Sequence, residues 1–351
     1  MRMKKALIIP IYQPTELVLP FLSKFKKGDF DYFVVVDDGS GAEFEERFAS
    51  IQGLGLFTLL RLKKNKGKGK AMKSALSYLM KKDPDLGGIV TADGDGQHAY
   101  EDILKVRDAL EANQEKLVLG TRSRKDMPPA SQNGSWWSSF YFKMMSGLAL
   151  EDTQTGLRGI PKRYFSTFLA SPGSRYEFEM GFLAGIAREE RIVTVPIQTI
   201  YLNDNSSTHF RKVIDSIRIA RFPSAYIFSG VLLCFLDCLF YWLFAENCFP
   251  KTGFGWLLAG FSSSAITFFL YELLTHCCVF VTRPRFKKMV LDFGVFAFLS
   301  LATFGISYGF SCCGLDFLGA RILSNVILYL ALFVSALFLP SGWRAAYFLN
   351  R

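Results

Sequence analysis

The sequence predicts an α/β domain with a mostly parallel sheet over residues 1–210. A short amphipathic helix follows over 211–222, and an all-α membrane domain of four spans over 223–351. Three observations predict this. Charge is divided unevenly, because residues 1–222 hold 33 of the 41 Lys and Arg and 26 of the 31 Asp and Glu. The front part alternates short apolar runs with helical periods, the pattern of strands joined by crossover helices. The back part holds four apolar runs, each longer than the roughly 18–20 residues a helix needs to cross a bilayer.

The front elements follow in order. "KKALIIPIY" is a short apolar run ending at Pro10 and reads as a buried strand. A helix is expected over 15–25. "DYFVVVDDGS" is a second buried strand that ends in a polar turn, with a helix near 44–50 after it. "GLFTLLRL" reads as a strand, "GKAMKSALSYLMKK" as a helix and "GGIVTADGDGQ" as a strand and loop. "YEDILKVRDALEAN" puts Ile103, Leu104, Val106 and Leu110 on one helical face, and "KLVLGTRS" returns to a strand. Ligands of such sheets bind beyond the carboxyl ends of the strands. Asp37, Asp38, Asp93, Asp95 and Arg122 all fall at those ends.

The four spans are expected at about 224–244, 256–281, 289–310 and 317–339. "TRPRFKK", between the second and third, carries Arg283, Arg285, Lys287 and Lys288 and is expected to face the cytoplasm. Both termini and the front domain then lie on that side. The apolar core of the N-terminus is too short for a signal peptide. Asp237, Glu272 and His276 fall inside expected spans, and such groups are functional candidates by default, including for contacts in a homo-oligomer. All seven cysteines lie beyond residue 222, so the front domain has no thiol nucleophile and no thiolate metal site. A disulfide among Cys248, Cys312 and Cys313 remains open.

Several motifs carry chemistry. "DGDGQH" crowds Asp93 and Asp95 onto a glycine-flanked loop, and hard oxygen ligands so placed suit Mg²⁺ or Mn²⁺. A solvated acidic turn is the alternative. "KKNKGKGKAMKSA" offers lysines and helix N-terminal amides to a phosphate, or is a solvated lysine run. It lacks the full P-loop pattern. "GTRSRK" and "DTQTGLRG" supply Arg122, Arg124, Asp152 and Arg158, and arginine forks match phosphate oxygens. "SWWSSFYFKMMSGLAL" brings Trp136, Trp137 and Phe140 with Lys143, which suits a membrane headgroup level or, alternatively, a core helix. The formal charge of +10 is read as attraction to an anionic leaflet, with no nucleic-acid partner. A dinucleotide-binding oxidoreductase is excluded, because no G-x-G-x-x-G follows the first strand.

In that order, "IIPIY", "VVVDDGS", "GKGKA", "DGDGQH", "GTR", "DTQTGLRG", "RYEFEM" and "IYLNDNSSTHFRKVIDS" resemble glycosyltransferase family 2 enzymes of the GT-A fold. The branch is the one that makes polyprenyl-phosphate sugars. The resemblance covers about residues 4–220, and the four spans look like a GtrA-type membrane domain. It implies that Asp93, Asp95 and Gln97 bind the metal and the donor diphosphate. Pro10, Tyr12, Asp37 and Asp38 would hold the nucleoside, with Lys68 near the donor. Arg122 and Arg158 would meet the acceptor phosphate or shape its pocket, and His209 and Arg211 would cover the donor diphosphate. Glu177 and Glu179 are candidates for orienting the sugar. The implied reaction moves a hexose-type sugar, with inversion, from a GDP- or UDP-sugar to dolichyl or undecaprenyl phosphate at the inner membrane. The chain departs from the family at Gln132, where an arginine is expected. A processive polysaccharide synthase and a flippase or scaffold with an inactive catalytic domain are the competing readings. The former usually carries a Gln-x-x-Arg-Trp motif, which is missing before the spans.

Overall fold

The computed structural model describes residues 2–123, 127, 129–146, 148–171, 173–175, 177–187, 191–198, 232, 235–273, 301–314, 316 and 319–327. These fall into two compact units, one containing the described residues up to Gln198 and the other those from Leu232 onward.

Among the described residues the first unit is built on a seven-stranded sheet of β1 (Lys5–Ile11), β2 (Tyr32–Asp37), β3 (Thr58–Arg61), β4 (Gly88–Thr91), β5 (Leu117–Arg122), β6 (Arg158–Pro161) and β7 (Ile192–Ile197). Their order across the sheet is β3-β2-β1-β4-β6-β5-β7. Neighbours pair in parallel except at β6, which runs antiparallel to both β4 and β5. The mostly parallel sheet is therefore observed, with one reversed strand the sequence did not disclose.

All seven residues of β1 are buried, as expected for a strand covered on both faces. Ala6 and Ile8 join one core with Ala71, Met72, Ala75 and Leu79 of α3 (Lys68–Lys82). Leu7 and Ile9 join the other with Ile103, Val106 and Leu110 of α4 (Tyr100–Ala112). The period-2 alternation of β1 thus sends successive side chains to helices on opposite faces. Among the other helices, the first is shorter than expected, covering only Val18–Leu22. A helix at Glu45–Gly53 matches the expected position. The aromatic segment forms a helix over Pro129–Ser146, which starts before Ser135. The helix Pro129–Ser146 is α5, and α6 (Phe165–Ala170) and α7 (Glu177–Ala187) follow it among the described residues.

In the second unit, residues 235–247, 301–312 and 319–327 are helical, together with a helix over Gly253–Leu273. Within this last helix, Gly253–Leu270 has mean hydropathy 1.4, and among the described residues it alone is long and apolar enough to cross a membrane. The described helices overlap all four expected spans. The rest of those spans, His276 and the expected helix at 211–222 lie outside the described residues. Cys248, Cys312 and Cys313 are free, exposed thiols.

At the centre of the second unit, Asp237 is 5% exposed and accepts four hydrogen bonds. Ser263 and Ser264 donate to Oδ1 at 3.0 and 3.2 Å, and Arg321 and Asn325 donate to Oδ2 at 3.1 and 2.8 Å. The Arg321 guanidinium also sits 5.1 Å over the Tyr241 ring. One carboxylate therefore ties three helices together.

Candidate active site

The strand order places the site. Reading from β1, the chain proceeds outward through β2 and β3 and then returns to β4 on the other side of β1. Such a reversal leaves a crevice beyond the carboxyl ends of β1 and β4, where ligands of α/β sheets bind. Pro10 and Ile11 close β1 there, and Asp93 follows β4 by two residues. Gly94 lets the two loops meet, because a Cβ there would lie 2.6 Å from Ile11 Cγ1 and 2.9 Å from the Pro10 carbonyl oxygen.

The reversed strand completes the rim. Arg158 of β6 pairs with Thr91 of β4. The preceding "DTQTG" loop therefore arrives where β4 ends. Thr91 Oγ1 donates to the Gly156 carbonyl at 2.9 Å. Asp93 lies directly against Gly156, where a Cβ would come within 2.5 Å of Oδ2 and 2.6 Å of Oδ1. Glycine at 156 is thus required by the position of the carboxylate.

Asp93 is the hub of a charged cluster. Its Oδ1 is ion-paired with Lys68 Nζ, and its Oδ2 meets His98 Nε2 at 3.3 Å. The same Lys68 ammonium lies 2.7 Å from Glu179 Oε1 on α7. Burial favours the neutral form of Asp93, but the Lys68 charge and the His98 contact outweigh it and hold the carboxyl well below the usual range. Asp95 behaves oppositely. Burial, and next the charge of Asp93, push its carboxyl up, although the Gln97 amide donates to Oδ1 at 3.0 Å. Two crowded carboxylates of which one resists ionisation form a site that gains from an added cation. Among the described residues no three His, Cys, Asp or Glu side chains converge on a metal position. The protein's hard oxygens at Asp93 and Asp95 fit Mg²⁺ or Mn²⁺ only if substrate oxygens or waters complete the shell, the usual situation for Mg²⁺.

The other sequence-predicted residues divide. Asp37, at the end of β2, accepts the Ser40 amide at 2.8 Å. Asp38 is 3% exposed, and its two oxygens accept the Lys66 and Gly67 amides at 2.8 and 2.7 Å, which pins the lysine-rich loop to β2. Ser174 O accepts the Lys70 amide at 3.0 Å, so this main-chain group near the start of α3 goes to protein rather than to a phosphate. Arg122 forks onto buried Asp152, with Nε and Nη2 at 2.5 and 3.1 Å from its oxygens. Arg158 is 2% exposed and donates to the carbonyls of Thr155, Glu179 and Thr153, at 2.9, 2.8 and 3.2 Å. All three guanidinium nitrogens of Arg158 are therefore engaged by main-chain carbonyls. Pro10 is buried and Tyr12 half-buried at the rim. Glu177 accepts the Ser174 and Arg175 amides at 3.0 and 3.2 Å and orders the turn before α7. His209, Arg211 and Arg124 lie outside the described residues.

Sequence reasoning missed the reach of His98, the closeness of Gly156 to Asp93, and the Lys68–Glu179 pair. The "EFEM" of "RYEFEM" held a signal for Glu179, since beyond the opening Glu177 it is the one charged residue of an apolar helix.

One face of α5 carries Ser135, Ser139, Phe142 and Ser146, all buried. Ser138 bonds Thr153 at 2.8 Å and Ser139 donates to the Glu151 carbonyl at 2.9 Å, so α5 is fastened to the "DTQTG" loop. Its other face shows Trp136, Trp137 and Phe140 in mutual ring contact, with Trp137 60% exposed. The helix is therefore amphipathic, with Phe142 in the core of the unit and three aromatic rings exposed.

An uncharacterized protein of Methanocaldococcus jannaschii is 27% identical over 220 residues, 60% of this chain and 87% of that protein. The UDP-N-acetylglucosamine–dolichyl-phosphate N-acetylglucosaminyltransferase of Methanococcus voltae is 29% identical over 216 residues, 56% of this chain and 85% of that enzyme. Among solved structures, glucosyl-3-phosphoglycerate synthase from Mycobacterium tuberculosis, crystallised with Mn²⁺, UDP and glucosyl-3-phosphoglycerate, is similar at 15% identity. Its TM-score is 0.45, over 62% of this chain and 80% of that one. Residues 6–161 match the model of glycosyl transferase family 2. This chain carries a glycosyl transferase family 2 domain and is a glycosyltransferase.

Proposed function

We propose that the protein is a membrane-bound, inverting enzyme that moves a hexose-type sugar from a GDP- or UDP-sugar to polyprenyl phosphate. The carrying observation is the pair Asp93 and Asp95 at the switch point of the sheet, in a chain whose residues 223–351 hold only 8 of the 41 Lys and Arg and 5 of the 31 Asp and Glu. The named activity of the Methanococcus voltae relative supports the choice of a lipid phosphate acceptor. Outward positions of the second unit support a lipid environment: Phe235, Phe254 and Phe269 are 63, 68 and 61% exposed. In this reading the unit spans the membrane four times, and the catalytic domain and both termini face the cytoplasm. The Trp136, Trp137 and Phe140 face of α5 rests at the headgroup level, where tryptophan is favoured.

Asp93 and Asp95, with Gln97 beside them, would hold Mg²⁺ or Mn²⁺. When bound, the cation offsets the charge that develops on a departing nucleoside diphosphate. The residues around it orient the donor: Tyr12 and Asp37 line the rim for the nucleoside, and Gly156 keeps Asp93 in place. A phosphate monoester has a second pKa near 6, so the acceptor arrives largely as a dianion and attacks the anomeric carbon without a general base. One displacement inverts that centre. The tail stays in the bilayer, since exposing each CH₂ costs about 0.8 kcal/mol.

The test is to incubate membranes containing the protein with polyprenyl phosphate and a panel of radiolabelled GDP- and UDP-sugars. A butanol-extractable, acid-labile product that requires Mg²⁺ or Mn²⁺ is expected. If no donor yields one while a related synthase works in parallel, the proposal fails.

A further inference from the structure

Lys68 is shared between two carboxylates. Its ammonium is ion-paired with Asp93 Oδ1 and lies 2.7 Å from Glu179 Oε1, with its side chain only 14% exposed. His98, 5% exposed, covers the other oxygen of Asp93. The leading carboxylate of the acidic loop is therefore neutralised by Lys68 and covered by His98 within the protein itself. A divalent cation that approaches Asp93 meets a positive charge already seated there. Like charges a few ångströms apart in a partly buried site repel strongly enough to weaken binding about tenfold or more. Glu179 changes the outcome, because Lys68 can release Asp93 and still keep an ionic partner inside the protein. A buried ammonium left with none is strongly disfavoured.

We propose that Lys68 is a positioning residue that serves as the resident counter-ion of Asp93 and withdraws onto Glu179 when a divalent cation arrives with the donor diphosphate. This rests on the reading of Asp93 and Asp95 as the donor site. Its consequence is coupled binding. The bare chain takes a divalent cation weakly, and a nucleoside diphosphate, whose negative charge compensates Lys68, strengthens that binding. The entrance to α3 fixes Lys68 for this role. Gly67 adopts a φ of +94°, and a Cβ on Gly67 or Gly69 would strike Ser174 O or Phe178 Cβ at 2.5 Å, so the helix start is locked against the segment leading into α7.

The experiment titrates the full-length protein in detergent with Mn²⁺, following free Mn²⁺ by electron paramagnetic resonance, with and without UDP or GDP. Lys68→Met is expected to bind Mn²⁺ about tenfold more tightly than wild type in the absence of nucleotide, and to gain less when nucleotide is added. Glu179→Gln is expected to do the reverse, weakening Mn²⁺ binding in the presence of nucleotide. General structural damage lowers affinity, so a rise in Lys68→Met has no such origin. Equal or weaker nucleotide-free binding by a folded Lys68→Met overturns the proposal. Should that variant not fold, Glu179→Gln decides alone, and its binding Mn²⁺ as wild type does with nucleotide overturns it. Failure of the donor-site reading looks different: wild type then binds no Mn²⁺ even with nucleotide, and both ideas fall.

Discussion

Asp93 in the first unit and Asp237 in the second are both carboxylates in polar clusters, and they are built for opposite ends. Asp237 has a 6% exposed side chain, and four donors from two neighbouring helices saturate its two oxygens. Its arginine partner, Arg321, is itself 1% exposed. Asp93 keeps 28% of its side chain exposed, sits at the rim of a sheet, and is balanced by a lysine that has a second carboxylate within reach. The first arrangement has nowhere to go and so holds helices together. The second has a counter-charge within reach of another carboxylate, as the proposed donor site requires. Burial alone separates a structural acid from a reactive one poorly here; the difference lies in whether the counter-charge has an alternative seat.

The comparison breaks first at the acidic loop. Asp95→Asn removes a hard anionic ligand without changing shape, and sugar transfer is expected to fall about 10³- to 10⁴-fold, the several kcal/mol a cation contributes at such a site. Thermal stability should hold or rise, because a carboxyl that burial and Asp93 already push up is being neutralised. Steady-state transfer rates beside a melting curve check both halves. A variant that turns over normally removes Asp95 from the reaction.

The next effect belongs to the second unit. Arg321→Gln leaves Asp237 buried with its charge uncompensated, and a loss of about 3–5 kcal/mol is expected. The double variant Asp237→Asn with Arg321→Gln should recover most of it, since no lone charge remains. Unfolding of each variant in detergent by denaturant titration reads this. A mild single variant would mean that water or lipid headgroups reach the cluster.

Gly156→Ala sharpens the comparison within the first unit. The added methyl would stand 2.5 Å from Asp93 Oδ2. The carboxylate must shift, and misplacement of about 1 Å can cost about 10²-fold in rate. The expected result is a fall of that order in turnover with a well-folded protein. Unchanged turnover would show that the Asp93 position tolerates movement.

The same contrast explains what the sequence disclosed. Strands β1, β2, β4 and β5 were legible because a strand buried on both faces reads as an unbroken apolar run. Helices α3 and α4 were legible because one apolar stripe repeats every turn. Strand β6 was not, since "RGIP" opens with a buried arginine satisfied by carbonyls from Thr153, Thr155 and Glu179, a supply no local pattern reveals. Among the described residues strand β7 pairs only with β5, at the sheet edge, and its half-exposed residues lack a buried run. The expected first helix shrank to Val18–Leu22. In the site, the carboxylates stood out but their partners did not. Lys68 meets both Asp93 and Glu179 where α3 packs against α7, which only the tertiary fold sets.

The smallest effect lies away from both clusters and separates ionic support of the fold from the chemistry. Asp83, at the end of α3, accepts from Lys4 Nζ and from the Tyr32 hydroxyl, each at 2.8 Å. The Lys4 hydrogen bond first, and then that from Tyr32, hold its carboxyl below the usual range. A depressed folded pKa means that the unfolded chain takes up the proton first as pH drops. The stabilisation is therefore present above the unfolded value of about 3.9 and is lost as pH falls through the lower folded value. Asp83→Asn should lower the melting temperature modestly at pH 7, and the gap to wild type should narrow as the pH approaches 3. Sugar transfer at pH 7 should be unaffected, because Asp83 lies at the opposite end of α3 from Lys68. Melting curves at pH 3, 5 and 7 measure the gap, and one that stays constant with pH would mean that Asp83 acts through packing rather than through its charge.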